Sequence, residues 1–200
     1  MLGEKRGQKG TGWSLFSGRK VNRLAGIWKR LAQRKGRGVP ICSVVIPAAG
    51  SSSRMEGIDK ILEPLGELPV LVRTLQVFQS CDLVHEVIVV TREDLIVPVS
   101  QLCRDFMLDK VTKVMVGGAE RVLSVRIGVQ EARRDAALIA IHDGARPLLS
   151  REVLEEVLKK AAVTGAAAPA IPMVDTIKRA ERGVVVETMD RSSLWAVQTP

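Results

Sequence analysis

Tyrosine is absent from this 200-residue chain, and phenylalanine and tryptophan supply only three residues each. With aromatics at 3% and hydrophobic residues at 46%, the core must be built from Val, Ile, Leu and Ala, which favours α/β layering over an aromatic-rich sandwich. Cysteine is equally sparse: Cys42, Cys81 and Cys103 are odd in number, widely spaced and without a C-x-x-C pair. That pattern argues against a disulfide framework or a thiolate zinc site and suits a reducing compartment, which we read as the cytoplasm. No apolar run approaches the roughly 18 residues that a bilayer crossing needs. The apolar core of a secretory signal is missing as well. Neither G-x-x-x-x-G-K-[ST] nor G-x-G-x-x-G occurs, which removes the Walker loop and the dinucleotide fingerprint.

Acidic residues are nearly missing from the first forty positions, where eleven Lys/Arg accompany a single Glu. Residues 41–200 then hold 19 basic and 21 acidic side chains, so the overall charge of +8 belongs to the tail alone. The folded part is close to neutral, and no nucleic-acid or membrane partner is required. Within the tail, Val21–Leu31 places Val21, Leu24, Ile27, Trp28 and Leu31 at helical spacing. Composition predicts a disordered extension or an upstream start for residues 1–40, with weak lipid or RNA contact and an organelle transit peptide as the other readings.

From Ile41 the pattern alternates strand and helix within one domain, residues 41–200. Strands are predicted at Ile41–Ile46, His85–Thr91, Val111–Val116, Ala137–Ile141 and Ala166–Ile171, and helices at Pro69–Ser80, Leu95–Met107, Glu120–Arg133 and Arg151–Val163. Ser150 caps the last helix and Gly165 ends it. Such alternation predicts a Rossmann-like, mostly parallel sheet with helices on both faces. Past Pro172 the character changes: Asp175–Pro200 reads as a hairpin turning at Glu181–Gly183, a β-arm over about 172–198 that packs on a partner.

Ligands bind such sheets outside the carboxyl ends of the strands, which gathers Pro47–Lys60, Gly117–Ser124 and His142–Pro147 into one crevice. The first of these follows a buried strand with Ala48, Ala49 and Gly50, three small hydroxyls, and then Arg54 and Lys60. Small residues let backbone N–H groups approach an anion and the cations neutralise it; an ordinary Gly/Ser turn is the plainer reading. Asp143, after another buried strand, needs a charge partner or a metal. Beside a triphosphate it suits Mg²⁺; alternatively it pairs with Arg146, which either braces the loop or forks onto a phosphate.

The ordered set A-A-G-S-S-S-R-M…K (Ala48–Lys60), G-G-x-E-R…S-V, H-D-G-A-R-P, V-D-T-I-K and D-R-S-S-L-W-A-V-Q-T-P resembles the 2-C-methyl-D-erythritol 4-phosphate cytidylyltransferase family of the non-mevalonate isoprenoid pathway. The resemblance covers Ile41–Pro200. It implies CMP transfer from CTP to the methylerythritol phosphate with release of pyrophosphate, a divalent Mg²⁺ cofactor and a homodimer. Ala48, Ala49, Gly50, Arg54 and Lys60 then match the CTP loop, with Arg54 and Lys60 stabilising charge at the α-phosphorus. Gly118, Ala119 and Ser124 match positions that read the cytosine and hold the ribose side. Asp143 matches the metal ligand within the substrate site, and Arg146 stands near the acceptor phosphate. Thr176 and Arg191 match an arm supplied by a neighbouring subunit, Arg191 orienting the attacking phosphate, and Thr199 matches a further substrate contact. Neither His142 nor His85 is demanded by this chemistry, and both are expected to be structural.

Ser52, Ile61, Gly144 and Ala119 depart from residues common in the family, and the family pattern continues past Pro200. The first loop alone is closer to molybdopterin nucleotidyltransferases, and the D-T-I and Q-T-P elements are shared with ribitol-5-phosphate cytidylyltransferase. A non-catalytic binding module with the basic tail as its working end is the reading from a different class.

Overall fold

The structure, a computed structural model, describes residues 14–16, 40–50 and 59–197. Most of the basic extension, including Val21–Leu31, lies outside the described residues, as do Arg54 and Thr199. In chain order the strands are β1 (Ser14–Phe16), β2 (Cys42–Pro47), β3 (Pro64–Leu65), β4 (Leu68–Pro69), β5 (Glu86–Thr91), β6 (Val111–Val116), β7 (Leu138–Ile141), β8 (Ala168–Pro172), β9 (Lys178–Glu181), β10 (Val184–Thr188) and β11 (Trp195–Val197). The helices are α1 (Val70–Ser80), α2 (Ile96–Asp105), α3 (Arg121–Glu131) and α4 (Arg151–Thr164).

Four parallel strands in the order β6-β5-β2-β7 form the central sheet. β2 and β5 are buried along their whole length, which explains why their sequences run apolar without alternation. Val44 lies beside Val87 on one side and Ala140 on the other, so the register stacks apolar residues across three strands. Val44, Ile46, Val87 and Val89 face a large core closed by α1, α2 and α4 through Leu75, Phe78, Val99, Cys103, Leu154 and Leu158. Val45, Ile88 and Val90 face the other way, toward α3. Helices therefore cover both faces, as the alternation predicts.

Local chemistry sets the helix limits. α1 buries Leu71, Val72, Leu75 and Phe78, a single stripe at helical spacing. Pro98 sits in the first turn of α2, where a missing N–H costs nothing, behind a 3₁₀ turn at Glu93–Leu95. At α4 the Ser150 hydroxyl accepts from the Val153 N–H at 3.3 Å, and Gly165 closes the other end at φ 87°.

The strand predicted at Ala166–Ile171 exists as β8, but it leaves the parallel sheet. It pairs antiparallel with β11 and with β1, in a separate three-stranded sheet ordered β1-β8-β11. An apolar run reports burial and not its neighbours, so this placement was invisible to pattern reading. The predicted hairpin is present as β9 and β10. Arg182 and Gly183 both take positive φ (51° and 82°), the two-residue turn whose twist matches a hairpin.

Two details of packing set stability. α3 meets the sheet at Gly128, where an added Cβ would lie 2.4 Å from Val45 Cγ1 and 3.1 Å from Val90 Cγ2. The helix backbone rests directly on β-branched side chains that cannot swing away. At the amino end of the sheet, buried Glu86 accepts from Ser43 Oγ at 2.7 Å, from Thr112 Oγ1 at 3.0 Å and from the Arg133 N–H at 3.0 Å. Burial works against the charge, yet the donors from Ser43, Arg133 and Thr112 outweigh it and hold the carboxyl below its usual range. Burial also pushes the Cys42 and Cys103 thiols up to about 11, leaving them unreactive at neutral pH. Among the described residues, no helix is long and apolar enough to cross a membrane.

Gly128→Ala is expected to destabilise the fold by about 1–3 kcal/mol despite the better helix propensity of alanine, read from chemical denaturation. The depressed pKa of Glu86 means that its stabilisation is present at neutral pH and is lost as the pH falls below about 4.3, the unfolded value. Glu86→Gln is therefore expected to lower stability at pH 7 and to flatten its decline on the acid side, measured by unfolding midpoints across pH.

Candidate active site

A cleft of about 750 Å³ opens at the carboxyl ends of the parallel strands. It is lined from four loops: Pro47–Gly50 and Asp59–Ile61 after β2, Arg92 and Glu93 after β5, Val116–Arg121 with Ser124 after β6, and Asp143 and Ala145 after β7. The sheet reverses its order between β2 and β7, and the crevice at such a reversal is where doubly wound folds bind ligands.

Backbone bonds fix the floor. Ala48 N–H donates to the Val90 carbonyl at 2.7 Å, Gly117 N–H to Thr91 at 2.7 Å and Gly144 N–H to Pro47 at 3.1 Å. The Thr91 hydroxyl returns a bond to the Ala48 carbonyl at 3.2 Å, so the loop after β2 is tied to both neighbouring strands. Ala48–Gly50 presents small side chains to the cleft, as the sequence implies. The Ser124 hydroxyl is buried and folds the next loop onto its helix, accepting from Gly118 N–H at 3.2 Å. Gly117 makes that close approach possible, since a Cβ there would stand 2.6 Å from Ser124 Oγ.

Asp143 sits between two arginines. Arg121 reaches its Oδ1 with Nε at 2.9 Å and Nη2 at 2.6 Å, and Arg146 reaches Oδ2 with Nε at 3.1 Å. Partial burial raises its carboxyl pKa, but the bonds and charge of Arg121, then of Arg146, prevail and hold it below the usual carboxylate range. Asp143 is ionised at neutral pH. Arg121 lies inside the G-G-x-E-R motif but carries no role in the sequence reading; its signal was an arginine opening a helix at the crevice, and its partner stands 22 positions away.

Of the other expected site residues, Lys60, Gly118 and Ala119 line the cleft, whereas Arg146, Thr176 and Arg191 do not. Arg146 reaches Asp143 within its own loop. Thr176 and Arg191 lie exposed at the base of the arm, where Arg191 Nη1 donates to the Val174 carbonyl at 2.6 Å. His142 is structural as expected. It is buried, packs edge-on to Phe78 with ring centroids 5.4 Å apart, and donates from Nε2 to the Arg146 carbonyl at 2.9 Å. Burial lowers its pKa, which keeps the ring neutral. His85 precedes β5, at the end of the sheet away from the cleft.

Among the described residues, no cluster of three or more His, Cys, Asp or Glu could cage a metal. A single carboxylate beside phosphates nevertheless fits Mg²⁺, which prefers one or two protein oxygens with phosphate and water. The described cleft-lining residues include three cations, Lys60, Arg92 and Arg121, against four carboxylates, Asp59, Glu93, Glu120 and Asp143. A polyanionic ligand therefore needs positive charge beyond theirs.

Comparison with known proteins agrees with this geometry. The family described as IspD, 2-C-methyl-D-erythritol 4-phosphate cytidylyltransferase, matches residues 42–200. The chain is 43% identical over 159 residues to the 2-C-methyl-D-erythritol 4-phosphate cytidylyltransferase of Halalkalibacterium halodurans, covering 79% of this chain and 69% of that one. Identity to the Symbiobacterium thermophilum protein of the same name is 46% over 167 residues, covering 82% and 69%. The crystal structure of the Thermus thermophilus 2-C-methyl-D-erythritol 4-phosphate cytidylyltransferase superposes with a TM-score of 0.59 at 31% identity, covering 79% of this chain and 68% of that one. The chain belongs to the 2-C-methyl-D-erythritol 4-phosphate cytidylyltransferase family.

Proposed function

We propose that this protein transfers CMP from CTP to 2-C-methyl-D-erythritol 4-phosphate. An oxygen of the acceptor phosphate attacks the α-phosphorus of CTP, the bond from that phosphorus to the bridging oxygen breaks, and pyrophosphate departs with the electron pair. The observation that carries this reading is the convergence of Ala48–Gly50, Lys60, Gly118, Ala119, Ser124 and Asp143 on one cleft at the sheet reversal, in a chain of this family.

A phosphate monoester is already anionic and needs no general base, so the work is positioning and charge cancellation. Arg54 and Lys60 stabilise charge at the α-phosphorus, Ala48–Gly50 admits the triphosphate close to the backbone, and Gly118, Ala119 and Ser124 form the wall for the nucleoside. Asp143 would hold Mg²⁺, which when bound screens phosphate charge and favours pyrophosphate as a leaving group. Arg121, which holds Asp143 at 2.6 Å, lines the same cleft and fixes where that carboxylate stands.

The arm supports a homodimer. Val184, Val185 and Val186 are 66%, 56% and 47% exposed on a two-stranded hairpin, which is marginal alone in water. A second copy covering that hairpin would carry its Thr176 and Arg191 toward the cleft, with Thr199 as a further contact and Arg146 beside the acceptor phosphate. The three buried, free thiols suit a cytoplasmic setting.

Incubation with Mg²⁺ and CTP is expected to release pyrophosphate with methylerythritol phosphate and not with ribitol 5-phosphate; inactivity with both would refute the assignment, and preference for ribitol would redirect it. Lys60→Ala is expected to reduce turnover by about 10²-fold or more with an unchanged circular dichroism spectrum. Arg121→Gln is expected to raise the Asp143 pKa toward the ordinary carboxylate value, measured by carbon NMR of the labelled carboxyl.

A further inference from the structure

Arg92 opens the loop after β5 and grips two carboxylates at once. Its Nη1 and Nη2 donate to Asp59 Oδ1 and Oδ2 at 2.7 and 3.0 Å, and its Nε and Nη2 donate to Asp94 Oδ1 and Oδ2 at 3.1 and 2.8 Å. The Asp59 side of this grip is a two-pronged fork between half-buried side chains, 29% and 25% exposed, a stronger arrangement than an open surface pair. Because four donor contacts go to carboxylates, Arg92 is poorly placed to bind a phosphate despite lining the cleft.

Asp59 is the residue immediately before Lys60. On the other side of Lys60, Ile61 is buried in the main core, and its carbonyl accepts from the Leu71 N–H at 2.9 Å. The Asp59 carbonyl accepts from the Leu62 and Glu63 N–H groups at 2.8 and 3.2 Å, which closes a tight turn around Lys60. Two independent anchors therefore flank this lysine: apolar burial of Ile61 behind it, and the fork from Arg92 ahead of it. Arg92 is itself rooted, since it follows fully buried Thr91, whose hydroxyl holds the loop after β2.

We infer that Arg92 is a positioning residue for cytidylyl transfer: through Asp59 it sets the turn that aims Lys60 at the triphosphate. The activity half of this inference rests on the transferase reading above; the structural half does not. Lysine cannot supply the same two-pronged grip, so Arg92→Lys is not equivalent.

The experiment compares Arg92→Ala, Arg92→Lys, Asp59→Asn and Lys60→Ala with the parent, using the full chain. Hydrogen exchange of the peptide spanning Asp59–Glu63 is expected to accelerate about tenfold in Arg92→Ala and in Asp59→Asn, with α3 unaffected, as for any locally opened turn. In steady-state assays, Arg92→Ala is expected to lower kcat about tenfold with little change in the KM for the acceptor. Arg92→Lys should recover no more than a small part of that loss. The same arginine substitution placed on Lys60→Ala should cost less than about twofold, because a residue that acts through Lys60 has nothing left to position. Equal losses in both backgrounds, or a tenfold loss accompanied by exchange rising throughout the domain, would overturn the inference. Unchanged exchange at Asp59–Glu63 would do so even if the parent transferred no cytidylyl group, whereas a silent parent with accelerated exchange would count against the transferase reading alone.

Discussion

From β2 the chain adds strands in one direction, β5 and then β6, before the crossover through α3 carries it back across the sheet to β7. A right-handed crossover running backward must cross the opposite face, which is why α3 packs there, apart from α1, α2 and α4. The reversal leads the loop after β6 across to the opposite face, and its Val116–Arg121 stretch forms one wall of the cleft. It also demands a close seat for α3 over the two central strands, and Gly128 against Val45 and Val90 provides it. If α3 rode higher, Gly117, Gly118 and Ser124 would leave the cleft wall, and Arg121 would lose its hold on Asp143.

Much of this was legible in the sequence. The buried strand over His85–Thr91 and the helix bounded by Ser150 and Gly165 follow from local rules, because burial on both faces and helix capping leave marks within a few residues. The gathering of three loops into one crevice follows from topology, once alternation is recognised. What escaped is non-local. β8 is apolar enough for any sheet, and only its pairing with β11 and β1 shows which one it joins. Arg121 and Arg92 find their carboxylates 22 and 33 positions away, and no spacing rule announces such a pair.

The arm shows a different balance. Arg182 and Gly183 close its turn in the conformation that hairpins favour, and Arg179 is paired with Glu181 along its own strand and with Glu187 across the hairpin. Polar order along the hairpin coexists with three exposed valines, so the element is well specified in shape while its apolar surface is left uncovered by the described residues. That combination suits a part whose contacts are completed by another molecule.

Among the described residues, the two arginines that line the cleft already hold carboxylates, Arg121 on Asp143 and Arg92 on Asp59 and Asp94. An anion that took one of these guanidinium groups would leave a carboxylate uncompensated in a partly dry site. A ligand arriving with its own countercation would replace the lost partner. Among the described residues, the cleft arginines are thus held against anions that bring no cation of their own.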